Sequence, residues 1–176
     1  MLYKMSNILY KMSNILYTSN IEKIGLVTGV FDLMHQEHQK MLVLAQQNAD
    51  ILYIGIESDA RVKELKGIKR PYNKQETRKQ RIQSILPEAI VEVLPENFGL
   101  QEVRERYLRE KRINRIIVSQ NDIRLARKKK QIEELGGKLT VLQLNANISS
   151  TKILEGELSS ELLVFAEDRS LVLAKK

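Results

Sequence analysis

The residues best suited to chemistry in this chain stand in one short stretch. His35 and His38 are the only two histidines among 176 residues. They follow Val30, Phe31 and Asp32, where an apolar run (residues 24–31) gives way, after Glu37, to apolar residues at helical spacing. Residues three apart on a helical turn share a face, so both imidazoles can aim at one spot. That spot also receives the unsatisfied N–H groups and positive end of the helix, which suit a phosphate. Paired imidazoles beside a helix N-terminus make a polyphosphate site that needs no glycine-rich loop. The same spacing also suits two metal ligands or two surface groups.

Positioning such a pair requires strands and helices in a fixed order. Apolar runs at residues 24–31, 51–56, 90–94, 115–118 and 139–144 predict strands. Helical spacing predicts helices from Glu37 to near Asn48 and over residues 59–65, 74–86, 100–111 and 122–135. Gly67 and Pro71 make residues 66–71 a loop, Pro87 stops one helix, and Gly136-Gly137 closes another. Strands separated by helices imply right-handed crossovers and a parallel sheet. The expected fold is α/β: a doubly wound, Rossmann-like, five-stranded parallel sheet with helices on both faces. Ligands of such sheets bind beyond the carboxyl ends of the strands, where the histidine turn lies.

Bulk composition narrows the function classes. The length suits one domain with a sizeable core. Apolar residues make up 43% and charged residues 29%, a globular balance. The absence of cysteine excludes disulfides and thiolate metal sites, and with only two histidines a closed structural zinc site is not expected, so no residue is singled out as a metal ligand. No apolar stretch approaches the roughly 20 residues that span a bilayer, so the expected location is cytoplasmic with no membrane partner. A net charge of +7 suits an anionic partner without choosing among nucleotide, phosphate ester and nucleic acid. Neither a G-x-G-x-x-G nor a P-loop motif occurs, which disfavours dinucleotide oxidoreductases and P-loop NTPases.

Residues 1–21 form a tandem repeat: 2–8 recur as 9–15 and, shortened, as 16–21. Leu2, Met5, Leu9, Met12 and Leu16 fall on a heptad seam about two heptads long. Either a duplicated leader without chemistry or a short dimerisation helix fits, so a homodimer is an open expectation. The expected organisation is this leader, a domain over 22–157, and a C-terminal helical tail over 158–176 that packs on the domain or on a partner.

The histidine stretch resembles the HxGH signature of cytidylyltransferase-like nucleotidyltransferases, with Phe31-Asp32-Leu33-Met34-His35 as its F-D-x-x-H lead-in. Three further stretches extend the resemblance. Ser58-Asp59, Val62-Lys63, Lys66-Gly67 and Arg70-Pro71, with Glu76 and Arg78 beyond, resemble the S-D-x-x-V-K-x-x-K-G-x-x-R-P and E-x-R pattern of ADP-heptose synthases. An arginine-led helix from Arg78 followed by a strand ending in Pro95-Glu96 is similar to glycerol-3-phosphate cytidylyltransferases. Ile148-Ser149-Ser150-Thr151-Lys152-Ile153 resembles the I-S-S/T-T-x-I motif. Together the matches run in order from about Ile24 to Glu157.

The resemblance implies a nucleotidyltransferase that joins a nucleoside monophosphate to a small phosphorylated acceptor such as a sugar or polyol phosphate. It implies CTP or ATP as donor and Mg2+ bridging the phosphates with few protein ligands. Catalysis would be positioning plus charge neutralisation. His35 and His38 would hydrogen-bond the triphosphate, Lys66 would bring a mobile charge, and Arg78 a phosphate fork. Ser150 and Thr151 would meet the β/γ-phosphates, and backbone N–H groups near Val30 and Phe31 the α-phosphate. Asp32, Glu37 and Asp122 complete the expected nucleotide site.

Two departures from the pattern matter. Glu37 replaces the glycine between the histidines, where it can crowd the base, hydrogen-bond it or repel phosphate. Gln120-Asn121-Asp122-Ile123 stands where the cytidylyltransferases have G-D-D-W, and residues 145–147 lack the arginine before I-S-T-T. Base and acceptor therefore stay open. A catalytically degenerate nucleotide-binding module is the alternative. A nucleic-acid binder is disfavoured because only 5% of residues are aromatic and the basic faces at 104–115 and 124–130 read as solvated.

Overall fold

The computed structural model describes residues 22–145 and 147–173. The repeated leader and its heptad seam lie outside the described residues. Five strands, β1 (Ile24–Gly29), β2 (Ile51–Ile56), β3 (Ile90–Val93), β4 (Arg115–Ser119) and β5 (Lys138–Leu142), form one sheet in the order β3-β2-β1-β4-β5. Every pairing is parallel. The helices are α1 (Gln36–Gln47), α2 (Asp59–Lys66), α3 (Gln75–Ile85), α4 (Gln101–Glu110), α5 (Leu125–Glu134), α6 (Ser150–Leu154) and α7 (Ala166–Leu173).

Neighbouring residues on a strand point to opposite faces, and the core divides accordingly. Val27, Ile54 and Ile117 pack with Leu42 and Ala45 of α1 and Ile82 of α3. Leu26, Ile116 and Val118 pack with Tyr107 and Leu108 of α4 and Ile132 of α5. Both faces are thereby covered, as parallel strands with apolar residues on either side require.

Where the elements depart from the predicted bounds, a side chain is responsible. β1 ends at Gly29 rather than at residue 31, because Arg78 takes the Val30 carbonyl at 2.7 Å and Phe31 turns with φ 52°. β5 stops at Leu142 because the Gln120 amide claims both the N–H and the carbonyl of Leu144. α5 begins at Leu125 rather than at 122, since the Asp122 carboxylate accepts the Arg124 N–H at 2.8 Å and holds a turn there.

The described part of the tail lies on its own domain. Leu163 packs with Leu33 and Ile153. It also forms an antiparallel bridge with His35, and the Val164 N–H donates to the Met34 carbonyl at 2.9 Å. No helix among the described residues is long and apolar enough to cross a membrane.

Candidate nucleotide site

The strand order reverses between β1 and β4, which diverge at their carboxyl ends and open a crevice. A pocket of about 340 Å3 fills it, walled by residues 27–31 at the end of β1, 117–119 with Asn121 and Asp122 at the end of β4, and Leu144, Asn145, Ile148 and Ser149. His35, Glu37 and His38 enter from the first turn of α1.

The turn before α1 is compact. Gly29 has no room for a side chain, since a Cβ there would lie 2.7 Å from the Phe31 ring. Phe31 meets His38 edge to face at 5.6 Å, and the two imidazoles stack at 3.8 Å with planes 28° apart. The His35 N–H points at His38 Nδ1 at 3.4 Å, which places the neutral-ring proton on Nε2. Burial holds His35 down to about 4, against a small opposing pull from Glu37. Burial and then the neighbouring His35 hold His38 down to about 3. At neutral pH both rings are uncharged donors rather than cations.

Across the crevice the expected site residue Asp122 meets a lysine that the sequence reading left on a solvated face. Lys128, in the first turns of α5, has a side chain only 13% exposed, and its Nζ lies 2.8 Å from Asp122 Oδ2 and 3.2 Å from Thr28 Oγ1. Burial works against ionisation of Asp122, but the Lys128 ammonium and the Arg124 N–H prevail and hold it below its ordinary value. With both rings neutral, the pocket's charged side chains are Glu37, Asp122 and Lys128, two carboxylates against one ammonium. A triphosphate needs further positive charge brought in from outside the wall.

The other expected residues occupy several different places. Glu37 is turned aside: its Oε2 accepts the Asn145 N–H at 2.7 Å, which ties α1 to the segment after β5. Arg78 does not offer a phosphate fork. Its side chain is 0% exposed and all three guanidinium nitrogens are engaged, by Asn73 O, Val30 O and Asp59 Oδ1. Asp32 likewise faces inward, accepting from Arg70, Tyr72 N and Asn73 N. Both are braces that shape the turn, because a buried charge with every partner met has nothing left for a ligand. Ser150 donates to the Leu33 carbonyl at 2.8 Å, and Thr151 is exposed outside the pocket wall. Ser149, whose Oγ caps α6 by accepting the Lys152 N–H, lines the pocket instead. Lys66 is exposed at the end of α2, away from the pocket wall.

Sequence reasoning missed Thr28, Ser119 and Lys128. The available signal for Lys128 was its place six residues after Asp122, across a helix start at the end of β4. Among the described residues no group of three or more His, Asp or Glu is placed to hold a metal. Each of the pocket's two carboxylates already has a partner, the Asn145 N–H for Glu37 and the Lys128 ammonium for Asp122. This donor set would suit a magnesium ion arriving on polyphosphate with most of its waters.

A family model described as Cytidylyltransferase-like matches residues 26–156. Two proteins named "Bifunctional protein HldE" are similar in sequence. That of Caulobacter sp. is 29% identical over 136 residues, 75% of this chain and 26% of that protein. That of Campylobacter concisus is 44% identical over 57 residues, 32% of this chain and 12% of that protein. This chain thus spans about a quarter or less of the curated relatives it matches. Among solved structures, a Francisella tularensis bifunctional NMN adenylyltransferase/ADP ribose pyrophosphatase, complexed with AMP and a manganese ion, superposes with TM-score 0.58 and 17% identity, covering 88% of this chain and 49% of that one. A lipopolysaccharide core biosynthesis protein from Thermoplasma volcanium gives 0.54 and 18%, covering 70% and 97%. At these identities the superpositions speak to the fold alone.

Proposed function

This chain belongs to the cytidylyltransferase-like family, and on that premise we propose that it is a nucleotidyltransferase moving a nucleoside monophosphate, CMP or AMP, from its triphosphate to a small phosphate-monoester acceptor. An oxygen of the acceptor phosphate attacks the α-phosphorus, the bond to the bridging oxygen breaks, and pyrophosphate leaves with the electron pair. The acceptor is already an anion, so no general base is needed. Catalysis is alignment plus stabilisation of charge on the phosphates.

The observation that carries this reading is the pair of stacked, neutral imidazoles at the N-terminus of α1, facing the crevice between β1 and β4. The N–H on His38 Nε2, the His35 ring and the helix end supply donors fixed before substrate arrives. Magnesium travelling with the nucleotide supplies charge neutralisation when bound. Lys66, exposed at the end of α2, adds a mobile cation. Arg78 acts at one remove by holding the Val30 carbonyl and so the backbone beside the α-phosphate. Asp122, gripped by Lys128, offers free lone pairs to a nucleoside hydroxyl or an exocyclic amine, the donor that cytosine and adenine share.

The test is pyrophosphate release from Mg·CTP and Mg·ATP across a panel of sugar and polyol phosphates. Turnover with one nucleotide and one ester class is the expected result, and silence with every pair tells against transfer. One specific observation favours a second reading, a nucleotide-binding module without turnover: the pocket wall carries an excess carboxylate, Glu37, where the family pattern has glycine. That reading predicts nucleotide binding by calorimetry, unchanged by acceptors and without pyrophosphate.

A further inference from the structure

The family match ends at residue 156, yet the chain beyond it reaches back to the histidine turn. Leu163 bridges His35, and the Val164 N–H donates to Met34, the residue before His35. A second connection runs through the interior. Asp168 on α7 is fully buried; its Oδ1 accepts from Asn73 Nδ2 at 2.9 Å and from Arg81 Nη1 at 2.6 Å. The same Asn73 amide donates to the Asp32 carbonyl at 2.7 Å, while the Asn73 N–H donates to Asp32 Oδ1 at 2.8 Å. Asp32 lies between Phe31, with its positive φ, and the histidines. Asn73 also closes the loop that starts at Lys66, and its carbonyl accepts from Arg78. The tail, the Lys66 loop and the catalytic turn therefore meet at one amide.

We propose that the segment 158–173 completes the active site, with Asp168 as a positioning residue that sets the His35/His38 turn through Asn73 and Asp32. A packing role alone would not need a buried carboxylate. Apolar side chains cover a helix better, and ionising a buried group carries a desolvation penalty. Here the carboxylate does what an apolar group cannot: it orients the Asn73 amide so that one N–H meets the tail and the other meets Asp32. Arg81, held also by Glu167 at 3.6 Å and stacked over Phe165, donates to the same Oδ1 and fixes the carboxylate from the α3 side. As to catalysis the inference rests on the transferase reading; as to geometry it stands without it.

The test exploits the chain's having only two histidines. In full-length protein labelled with 15N-histidine, the ring signals report the turn directly, with no need for turnover. In Asp168→Ala, both rings are expected to shift and to titrate closer to the ordinary value, because a loosened turn admits water. Asp168→Asn, which keeps the acceptor oxygen for Asn73, is expected to restore the wild-type signals. Glu92→Gln, at the far edge of the sheet beside Tyr107 and Lys111, is expected to leave them alone. Where the wild type turns over, Asp168→Ala lowers kcat about tenfold or more with KM for nucleotide little changed. If Asp168→Ala does not fold, Val164→Pro removes only the N–H given to Met34, following a Leu163 whose backbone (φ −71°, ψ 139°) accepts a proline after it. It is expected to shift the His35 ring signals in the same direction. Rings unmoved in whichever of the two variants folds, with only the melting temperature lowered, overturn the proposal. A wild type that releases no pyrophosphate sinks the transferase reading and leaves the ring spectra to decide the clasp.

Discussion

His35 and His38 are held neutral by burial, and that state has a measurable consequence for stability. Their folded values, about 4 and about 3, lie below the ordinary 6.5 of the unfolded chain. Below about pH 6.5 the unfolded chain therefore binds protons that the folded rings refuse. Stability is complete above that pH and falls as acid is added, by on the order of a few kcal/mol near pH 4. Melting temperature against pH, compared with a His35→Gln/His38→Gln variant, checks the sign: the variant should lose much of the slope between pH 6.5 and 4. For catalysis, His38→Ala removes a fixed donor and is expected to lower kcat about a hundredfold to a thousandfold in a pyrophosphate-release assay. Lys128→Met frees Asp122 from its charged partner and should weaken nucleotide binding about tenfold by calorimetry, with little loss of folding. These roles were unequally legible. The histidines announced themselves by rarity and spacing. Lys128 is one of three consecutive lysines, and only the start of α5 beside β4 distinguishes it from Lys129 and Lys130, which pair with Glu133 and Glu134 on the helix surface.

The elements were read well wherever local chemistry sets their ends. β2 runs over Ile51–Ile56, as the apolar run predicts, because Asp50 and Glu57 bound it with polar residues. α2 starts at Asp59, where the Ser58 hydroxyl accepts the Arg61 N–H. Ends set by distant partners were misread: β1, β5 and α5 each stop or start at a residue held by a side chain from elsewhere in the chain or by a capping turn. The clearest case is α3, where the family resemblance implied an arginine for phosphate and the packing makes that arginine a strut. Arg78→Met leaves the Val30 carbonyl without its donor and strips the Asp59 carboxylate of its cation, with the Gln75 N–H remaining. A loss of about 3–5 kcal/mol is expected, seen as a melting temperature lower by about 10 °C. Arg78→Lys should recover little of it, because one ammonium cannot span three acceptors set around a planar fork.

For the molecule as a whole, ligand binding gives the most direct readout. A nucleotide that binds only the folded chain, present at about a hundred times its Kd, adds about 2.7 kcal/mol. That corresponds to roughly 5–10 °C for a chain of this length. A thermal-shift series of Mg·ATP, Mg·CTP, Mg·GTP and Mg·UTP should single out ATP or CTP, whose ring carries an exocyclic amine where GTP and UTP carry a carbonyl, with equal shifts for all four telling against base recognition by Asp122. The alternation of apolar runs with helical periods was enough to define a parallel α/β sheet and to put the histidine turn at its carboxyl edge, because burial on both faces and right-handed crossover follow from periodicity and chirality alone. Which carboxylates and guanidiniums face inward was not written in any local pattern. Asp32, flanked by Phe31 and Leu33, and Arg78 and Asp168, among other charged residues, carry no local sign of burial, and a buried ion pair is defined by a partner as far as 87 positions away, as between Arg81 and Asp168. Folding alone brings such partners together, and with them the division between side chains that hold the pocket and side chains left free to touch what enters it.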